Sequence, residues 1–151
     1  MNLSVDFTPD PAETDALSQR LFQNNTLKIR EYAYEEFLVR STDDSGELVA
    51  GLHGEIGGDW LYIASLWVDE AFRDRGLGTA LLAQAEEIAL EKHCFGIYLY
   101  TYSFQSPGFY ERFGYRTFGA LENYCTSHSK LFMKKVLAEK DGTDPASEPL
   151  E

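Results

Sequence analysis

Cysteine, positive charge and long apolar runs are all scarce in this sequence. The two cysteines, Cys94 and Cys125, do not form a metal-binding spacing, so we expect no metal site and a reducing cytoplasm as the place of action. No apolar run reaches the roughly 18 residues that a membrane span needs. The N-terminus lacks the basic and then apolar layout of a signal peptide. We therefore expect no contact with membranes.

Acidic residues outnumber basic ones by 25 to 13, and the formal net charge is −12 at pH 7. General nucleic-acid binding depends on neutralising phosphates, so we expect no nucleic-acid partner. An acidic body favours cationic partners such as amines, polyamines or basic peptides through the rate of encounter. The plainer alternative is that the acidity only aids solubility. The sequence leaves the oligomeric state open, and a homodimer is the one assembly considered.

At 151 residues the chain is long enough for one good core. We predict one domain over residues 1–137, followed by an acidic, disordered tail over 138–151 that is polar and has no periodicity. Asp10-Pro11 is typical of a helix start, and we expect this helix to end near Asn24-Asn25. A long helix is predicted over 76–93, and strands are predicted over 37–40, 48–56, 60–68, 95–102, 115–119 and 128–137.

The most informative segment is Arg73-Asp74-Arg75-Gly76-Leu77-Gly78, which lies between a predicted strand and the long helix. Glycines without a Cβ let the backbone approach a ligand closely. The start of a helix offers unpaired N–H groups and a positive dipole end. With two arginines beside it, this loop suits a pyrophosphate.

Three kinds of phosphate loop compete for this segment. A Walker loop needs a Gly-Lys pair, which is absent from the loop, and a dinucleotide fingerprint needs Gly or Ala where Leu81 stands. The arginine-led pattern R-x-x-G-x-G matches in full, and it resembles the acetyl-CoA loop of the GNAT superfamily of N-acetyltransferases. Taken alone, the hexapeptide is also compatible with an ordinary turn before a surface helix.

A second segment strengthens the resemblance. Phe109-Tyr110-Glu111-Arg112-Phe113-Gly114-Tyr115 follows the predicted strand 95–102 and is similar to the superfamily's F-Y-E-x-x-G-F/Y motif. The resemblance implies that Tyr110 stands near the CoA sulfur and protonates the departing thiolate. A phenol with a pKa near ~10 is a reasonable acid for a thiolate whose conjugate acid lies near ~8.5. The alternative is that Phe109 and Tyr110 are only an aromatic core pair.

The resemblance covers residues 48–136 and implies an α/β fold. Its mixed, mostly antiparallel sheet would splay between the family's fourth and fifth strands, here 60–68 and 95–102, with helices on either side. It also implies an enzyme that transfers acetyl from acetyl-CoA to a primary amine by direct attack on the thioester. A small cationic amine is the first acceptor expected. The alternatives are a protein N-terminus or lysine as acceptor, or a non-catalytic acyl-CoA-binding module.

A narrower resemblance is to a bacterial subgroup of small GNAT enzymes, whose acceptors are mostly unassigned. It rests on Trp60-Leu61, Leu66-Trp67-Val68, Thr101 with Ser103-Phe104-Gln105, and His128. Many GNAT proteins have Asn where Ser103 stands, and the subgroup more usually has Gly where Ser127 precedes the histidine.

By resemblance, the backbone of Leu66 stabilises the oxyanion and the main chain of Val68 pairs with the pantetheine amides. Tyr110 is the acid. The complete set of expected cofactor residues is Leu66, Trp67, Val68, Arg73, Asp74, Arg75, Gly76, Leu77, Gly78, Thr79, Ser103, Phe109 and Tyr110.

The general base stays open at this stage. Histone-type relatives carry Glu four residues before the oxyanion donor, and this chain carries Tyr62 there. Alternation predicts that Tyr62 shares a face with Leu66 and points towards the acceptor. The alternatives are Glu55, His53, His128 and water, because a tyrosine is a poor base near neutral pH.

Aromatic residues and one cysteine complete the acceptor-side candidates. Tyr98, Tyr100 and Tyr102 alternate along one strand and suit either an aromatic acceptor pocket or the core. Tyr62, His53 and Tyr102 are the expected substrate residues. A covalent route through Cys125 is the minor alternative to direct transfer.

Overall fold

The computed structural model describes residues 3–28 and 34–137, which belong to two compact units. The first unit contains helix α1, Pro11–Lys28. The side chain of Asp10 accepts a hydrogen bond from the N–H of Ala12 at 2.9 Å, which is the cap that the sequence predicts, and the helix runs on past Asn25. The predicted tail, 138–151, lies outside the described residues. Within the described part of the chain, no helix is long and apolar enough to cross a membrane.

The described part of the second unit, residues 34–137, contains six strands and two α-helices. In chain order they are β1 Tyr34–Thr42, β2 Leu48–Gly57, β3 Trp60–Val68, α2 Leu77–Glu91, β4 Gly96–Tyr102, α3 Pro107–Arg112, β5 Arg116–Tyr124 and β6 His128–Val136, with a 3₁₀ turn at Glu70–Phe72 before α2. The predicted elements are all present, and the sequence placed the ends of α2 slightly too far out. Gly76 is its N-cap rather than its first residue, with φ at 81°.

The strands form one mixed sheet in the order β1-β2-β3-β4-β6-β5. All neighbours are antiparallel except β3 and β4, which are parallel. Their pairing runs only from Trp60 opposite Gly96 to Ile63 opposite Leu99. Beyond these residues the two strands are no longer paired, so the sheet is splayed where the family resemblance implies.

The apolar stripe of α2 covers one face of this sheet. Ala85 and Ala89 have no exposed surface, which lets the helix approach the strands closely. Its neighbours in the core come from β2, β3, β4 and β6, and the largest fully buried side chains of the unit are Leu52, Leu61, Leu82, Ile97, Leu99, Tyr115 and Met133. This core fixes the positions of β3, β4 and the start of α2.

A β-bulge at Ala64 changes the direction of the side chains along β3. Ser65 pairs with His53, and the next pair is Ile63 with Gly54, so Ala64 has no cross-strand partner. Ile63 is buried beneath α2, and after the bulge Leu66 packs against the same core. Tyr62 therefore lies on the opposite face from Leu66, and the prediction that they share a face is wrong.

Candidate active site

A cavity of about 800 Å³ opens where β3 and β4 separate. Its wall includes the end of β3, the loop before α2, the residues after β4 and helix α3. The residues that line it are Leu66, Trp67, Val68, Phe72, Arg73, Asp74, Gly76, Leu77, Gly78, Thr79, Thr101, Phe104, Gln105, Ser106, Phe109, Tyr110 and Arg112.

The glycine loop forms one wall of this cavity. Asp69 caps the preceding 3₁₀ turn by accepting a hydrogen bond from the N–H of Ala71 at 2.8 Å. Asp74 and Gly76 both have positive φ, at 60° and 81°, so the chain reverses sharply before α2. The carbonyl of Gly76 then accepts the N–H of Ala80 at 3.0 Å, which begins the helix. The positive end of the α2 dipole therefore meets the cavity.

Cationic side chains flank the loop despite the acidic composition of the chain. Arg73 lines the cavity, and its Nε donates a hydrogen bond to the carbonyl of Val68 at 3.2 Å. Arg112 also lines the cavity and lies 5.8 Å from the ring centre of Phe109. Arg75 is not among the lining residues, and its guanidinium stacks over the ring of Phe72 at 5.2 Å. This local positive charge favours an anionic group.

Tyr110 lies on α3 and faces the cavity. Its ring makes edge contacts with Phe109 at 5.1 Å and with Tyr115 at 5.9 Å between centroids. Burial raises the pKa of the Tyr110 phenol above its usual value, because desolvation penalises the charged form. The phenol is therefore protonated near neutral pH.

Ser103 is the other expected cofactor residue that does not line the cavity. Its Oγ accepts a hydrogen bond from the N–H of Ser129 at 3.0 Å, and its own N–H donates to the carbonyl of Ser129 at 2.9 Å. These two bonds join the end of β4 to the start of β6. Ser103 therefore has a structural partner in Ser129.

Several acceptor-side candidates lie on the sheet face away from α2. Glu55 and Tyr62 are direct cross-strand partners, and the ring of Tyr62 stacks on Tyr98 at 4.9 Å. His53 Nε2 lies 2.6 Å from Oε1 of Glu36. Burial, with smaller contributions from Tyr100, Tyr98 and Glu55, raises the pKa of Tyr62 to about 12. Tyr62 is therefore protonated at neutral pH and is not a competent base.

None of Glu55, His53, Tyr62, Tyr102 and His128 lines the cavity. Two of these residues, Tyr102 and His128, do contact a residue that lines the cavity, Phe104. The Phe104 ring stacks on Tyr102 at 5.2 Å and meets the ring of His128 at 4.9 Å. Phe104 was not assigned to the site from the sequence.

Other lining residues also escaped the sequence reasoning. Phe72, Thr101, Gln105 and Ser106 line the cavity without having been named as cofactor residues. Gln105 Oε1 accepts hydrogen bonds from the Thr101 hydroxyl at 3.1 Å and from the N–H of Tyr102 at 3.3 Å. The sequence signal that could have found them was the motif formed by Thr101 and Ser103-Phe104-Gln105. Its polar residues lie at the end of a buried strand, and in this fold that strand end borders the cavity.

Comparisons with known proteins identify the family of this chain. Residues 2–115 match the model of the Acetyltransferase (GNAT) family. Blasticidin-S acetyltransferase of Streptomyces morookaense is 41% identical over 106 residues, which cover 68% of this chain and 76% of that protein.

Two solved structures have the same fold over nearly the whole chain. An acetyltransferase of Agrobacterium tumefaciens superposes with a TM-score of 0.85 at 28% identity and covers 91% of this chain and 100% of its own. An acetyltransferase of Bacillus cereus superposes with a TM-score of 0.76 at 32% identity and covers 89% of this chain and 98% of its own. The chain therefore belongs to the GNAT family, as an N-acetyltransferase that takes acetyl-CoA as its co-substrate.

Proposed function

We propose that this enzyme transfers the acetyl group of acetyl-CoA to the primary amine of a small cationic molecule, by direct attack on the thioester and in the cytoplasm. The observation that carries the proposal is the cavity between β3 and β4. The glycine loop, Arg73, Arg112 and the neutral phenol of Tyr110 all line it. The anion site suits the diphosphate of a nucleotide thioester, and the acid on the same cavity suits its sulfur.

The cofactor would bind mainly through the backbone. Main-chain N–H groups over residues 73–79 would take the diphosphate, where the glycine loop and the α2 dipole favour negative charge. The main chain of Val68 would pair with the pantetheine amides. The N–H of Leu66 would donate to the oxyanion, and a fixed amide in that role contributes about 3 kcal/mol.

The amine nitrogen would then attack the thioester carbon and form a tetrahedral intermediate. When this collapses, the C–S bond breaks and Tyr110 would donate its proton to the departing thiolate. The proton that the nitrogen loses on becoming an amide would return to the Tyr110 phenolate through water. The attacking ammonium must first lose a proton, and none of the carboxylate and imidazole candidates lines the cavity. We therefore propose water as the carrier of that proton, because none of Glu55, His53 and His128 lines the cavity.

The acceptor class rests on two supports. According to its name, the relative with 41% identity acts on blasticidin S, and this favours a small molecule over a protein as the acceptor. The net charge of −12 favours a cationic acceptor through the rate of encounter. Two alternatives remain as outcomes of the test: acetylation of a peptide amine, and a non-catalytic acyl-CoA-binding module. Tyr110 weighs against the second, because a simple binder has no use for a thiolate acid.

A thiol-release screen tests this proposal. The protein is incubated with acetyl-CoA and, in turn, with polyamines, amino acids, aminoglycosides and basic peptides, and the acetylated product is identified by mass spectrometry. We expect amine-dependent release of CoA with a small cationic acceptor. Release with basic peptides alone would favour the peptide alternative. Cofactor binding without turnover on any amine would favour the binding module.

A further inference from the structure

Two large aromatic rings of the cavity wall are open to solvent. Trp67 is 45% exposed and Phe104 is 54% exposed, and both line the cavity. They stand on either side of the splayed gap, since Trp67 lies near the end of β3 and Phe104 follows the end of β4. Apolar rings left open beside a cavity are typical of a binding surface.

These rings lie on the far side of the sheet from the glycine loop. Leu66 and Val68 pack against the core beneath α2, so Trp67, which lies between them, points to the other face. Tyr102 is on that face too, because it follows buried Thr101 along β4, and Phe104 stacks on Tyr102. A cofactor held by the start of α2 would therefore leave these rings for the second substrate.

Phe104 is held in a fixed orientation by its neighbours. Its ring is almost parallel to that of Tyr102, with an interplanar angle of 3°, and it makes an edge contact with the ring of His128 at an interplanar angle of 74°. Tyr102 in turn packs on Tyr124 at 5.1 Å between centroids. A ring that is already ordered loses little conformational entropy when a ligand stacks on it.

We propose that Trp67 and Phe104 form the acceptor end of the cavity and select amines that carry a flat ring. This inference rests on the proposed function, because it assumes that the second substrate is a small amine. A flat ring can stack in parallel offset on Phe104 or meet Trp67 edge to face, whereas a puckered ring of the same size can only bury area. We expect a preference for the flat ring of about threefold to tenfold in kcat/KM.

The test compares two amines that differ only in the ring, 2-phenylethylamine and 2-cyclohexylethylamine. The variant Phe104→Leu removes the ring but keeps an apolar side chain. The control Phe118→Leu makes the same change at a ring that is 53% exposed and does not line the cavity. Wild type and the control should prefer the phenyl amine, and Phe104→Leu should lose the preference while keeping its KM for acetyl-CoA.

Three results would overturn the inference. These are equal kcat/KM for the two amines in wild type, a preference that survives Phe104→Leu, or a raised KM for acetyl-CoA in that variant, which would assign the ring to the cofactor. If both amines turn over too slowly, the same comparison is made by titrating them into the CoA-saturated protein and following tryptophan fluorescence. Equal affinities overturn the inference, and tighter phenyl binding lost in Phe104→Leu supports it. Failure of every amine to be acetylated while CoA binds contradicts the proposed function instead.

Discussion

The Nζ of Lys135 lies 2.8 Å from Oε1 of Glu86, which joins β6 to α2. The same oxygen accepts a hydrogen bond from the hydroxyl of Tyr115 at 3.3 Å, and the Tyr115 ring packs on Tyr110. The lysine and glutamate side chains are 26% and 23% exposed, so water screens this pair only in part. Glu86 thus holds Tyr115, on which the ring of Tyr110 packs. It also ties α2, the helix that follows the glycine loop, to β6.

We expect Lys135→Met to destabilise the fold by about 1–3 kcal/mol, because it leaves the Glu86 carboxylate half-buried without its cation. The matched control is Lys92→Met, which breaks an ion pair with Glu35 whose side chains are 46% and 53% exposed. The control should cost less than about 1 kcal/mol, since exposed pairs contribute little. Urea unfolding measures both, and equal losses would show that the Glu86 pair is no better than a surface contact.

Stability should fall in alkaline solution. Burial raises the pKa of Tyr110, and burial together with Glu86 raises the pKa of Tyr115. A folded-state pKa above the unfolded value near ~10 contributes stability that is present below that pH and is lost as the pH rises. The free energy of unfolding should therefore decrease above about pH 10, by up to about 1.4 kcal/mol per pH unit for each buried tyrosine.

Tyr115→Phe removes one of these ionisable groups. Its free energy of unfolding should depend less steeply on pH above about 10 than that of wild type, even if the lost hydrogen bond lowers its stability at neutral pH. Denaturant titrations at a series of pH values measure the slope. An unchanged slope would mean that Tyr115 ionises in the folded protein as readily as in the unfolded chain.

Tyr110→Phe should lower kcat by about 10²–10⁴-fold, because the variant has no proton for the thiolate. Its ring, and therefore its packing on Phe109, is preserved. The affinity for acetyl-CoA should change little. Steady-state kinetics with the acceptor found in the screen, together with a binding titration, separate these two effects. Turnover at the wild-type level would remove Tyr110 from the mechanism.

Gly76→Val should weaken cofactor binding, because the valine side chain would project into the cavity where the diphosphate is expected. Gly46→Val is the matched control: both glycines have positive φ, at 81° and 87°, and a Cβ on either meets nothing within 4 Å. The backbone strain is therefore similar, but Gly46 lies in the turn between β1 and β2 and does not line the cavity.

The thermal shift that CoA produces should be lost in Gly76→Val and kept in Gly46→Val, because a ligand stabilises only the folded state that it binds. Loss in both variants would point to strain alone. Retention in both would contradict the assignment of the loop.

Local patterns in the sequence were sufficient to place most of the helices and strands. The loop Arg73–Gly78 combined arginines, glycines and a helix start, and each has a direct physical meaning before the structure is known. The order of strands and the splay after Ile63 and Leu99 came from the family resemblance rather than from any single residue. Both ends of α2 were misjudged: the predicted range took its N-cap, Gly76, for the first helical residue, and it included His93, which lies beyond the C-cap Lys92 with a positive φ of 56°.

The face of Tyr62 could not be predicted, because a single unpaired residue at Ala64 reverses the alternation and alanine carries no signal for a bulge. Phe104 was visible only as part of a motif. Its contact with Tyr102 is local, but its contact with His128 depends on the return of β6 beside β4, a pairing between residues distant in sequence. Such contacts follow from the whole sheet and not from local periodicity.

The central claim is that the loop before α2 binds the diphosphate of CoA at the gap between β3 and β4. Isothermal titration calorimetry of the folded protein with CoA tests it most directly. We expect saturable heat with one site per chain, and a weaker affinity for pantetheine, which lacks the diphosphate together with the adenosine part of CoA. Absence of heat with CoA and with acetyl-CoA, or equal affinity for pantetheine, would contradict it.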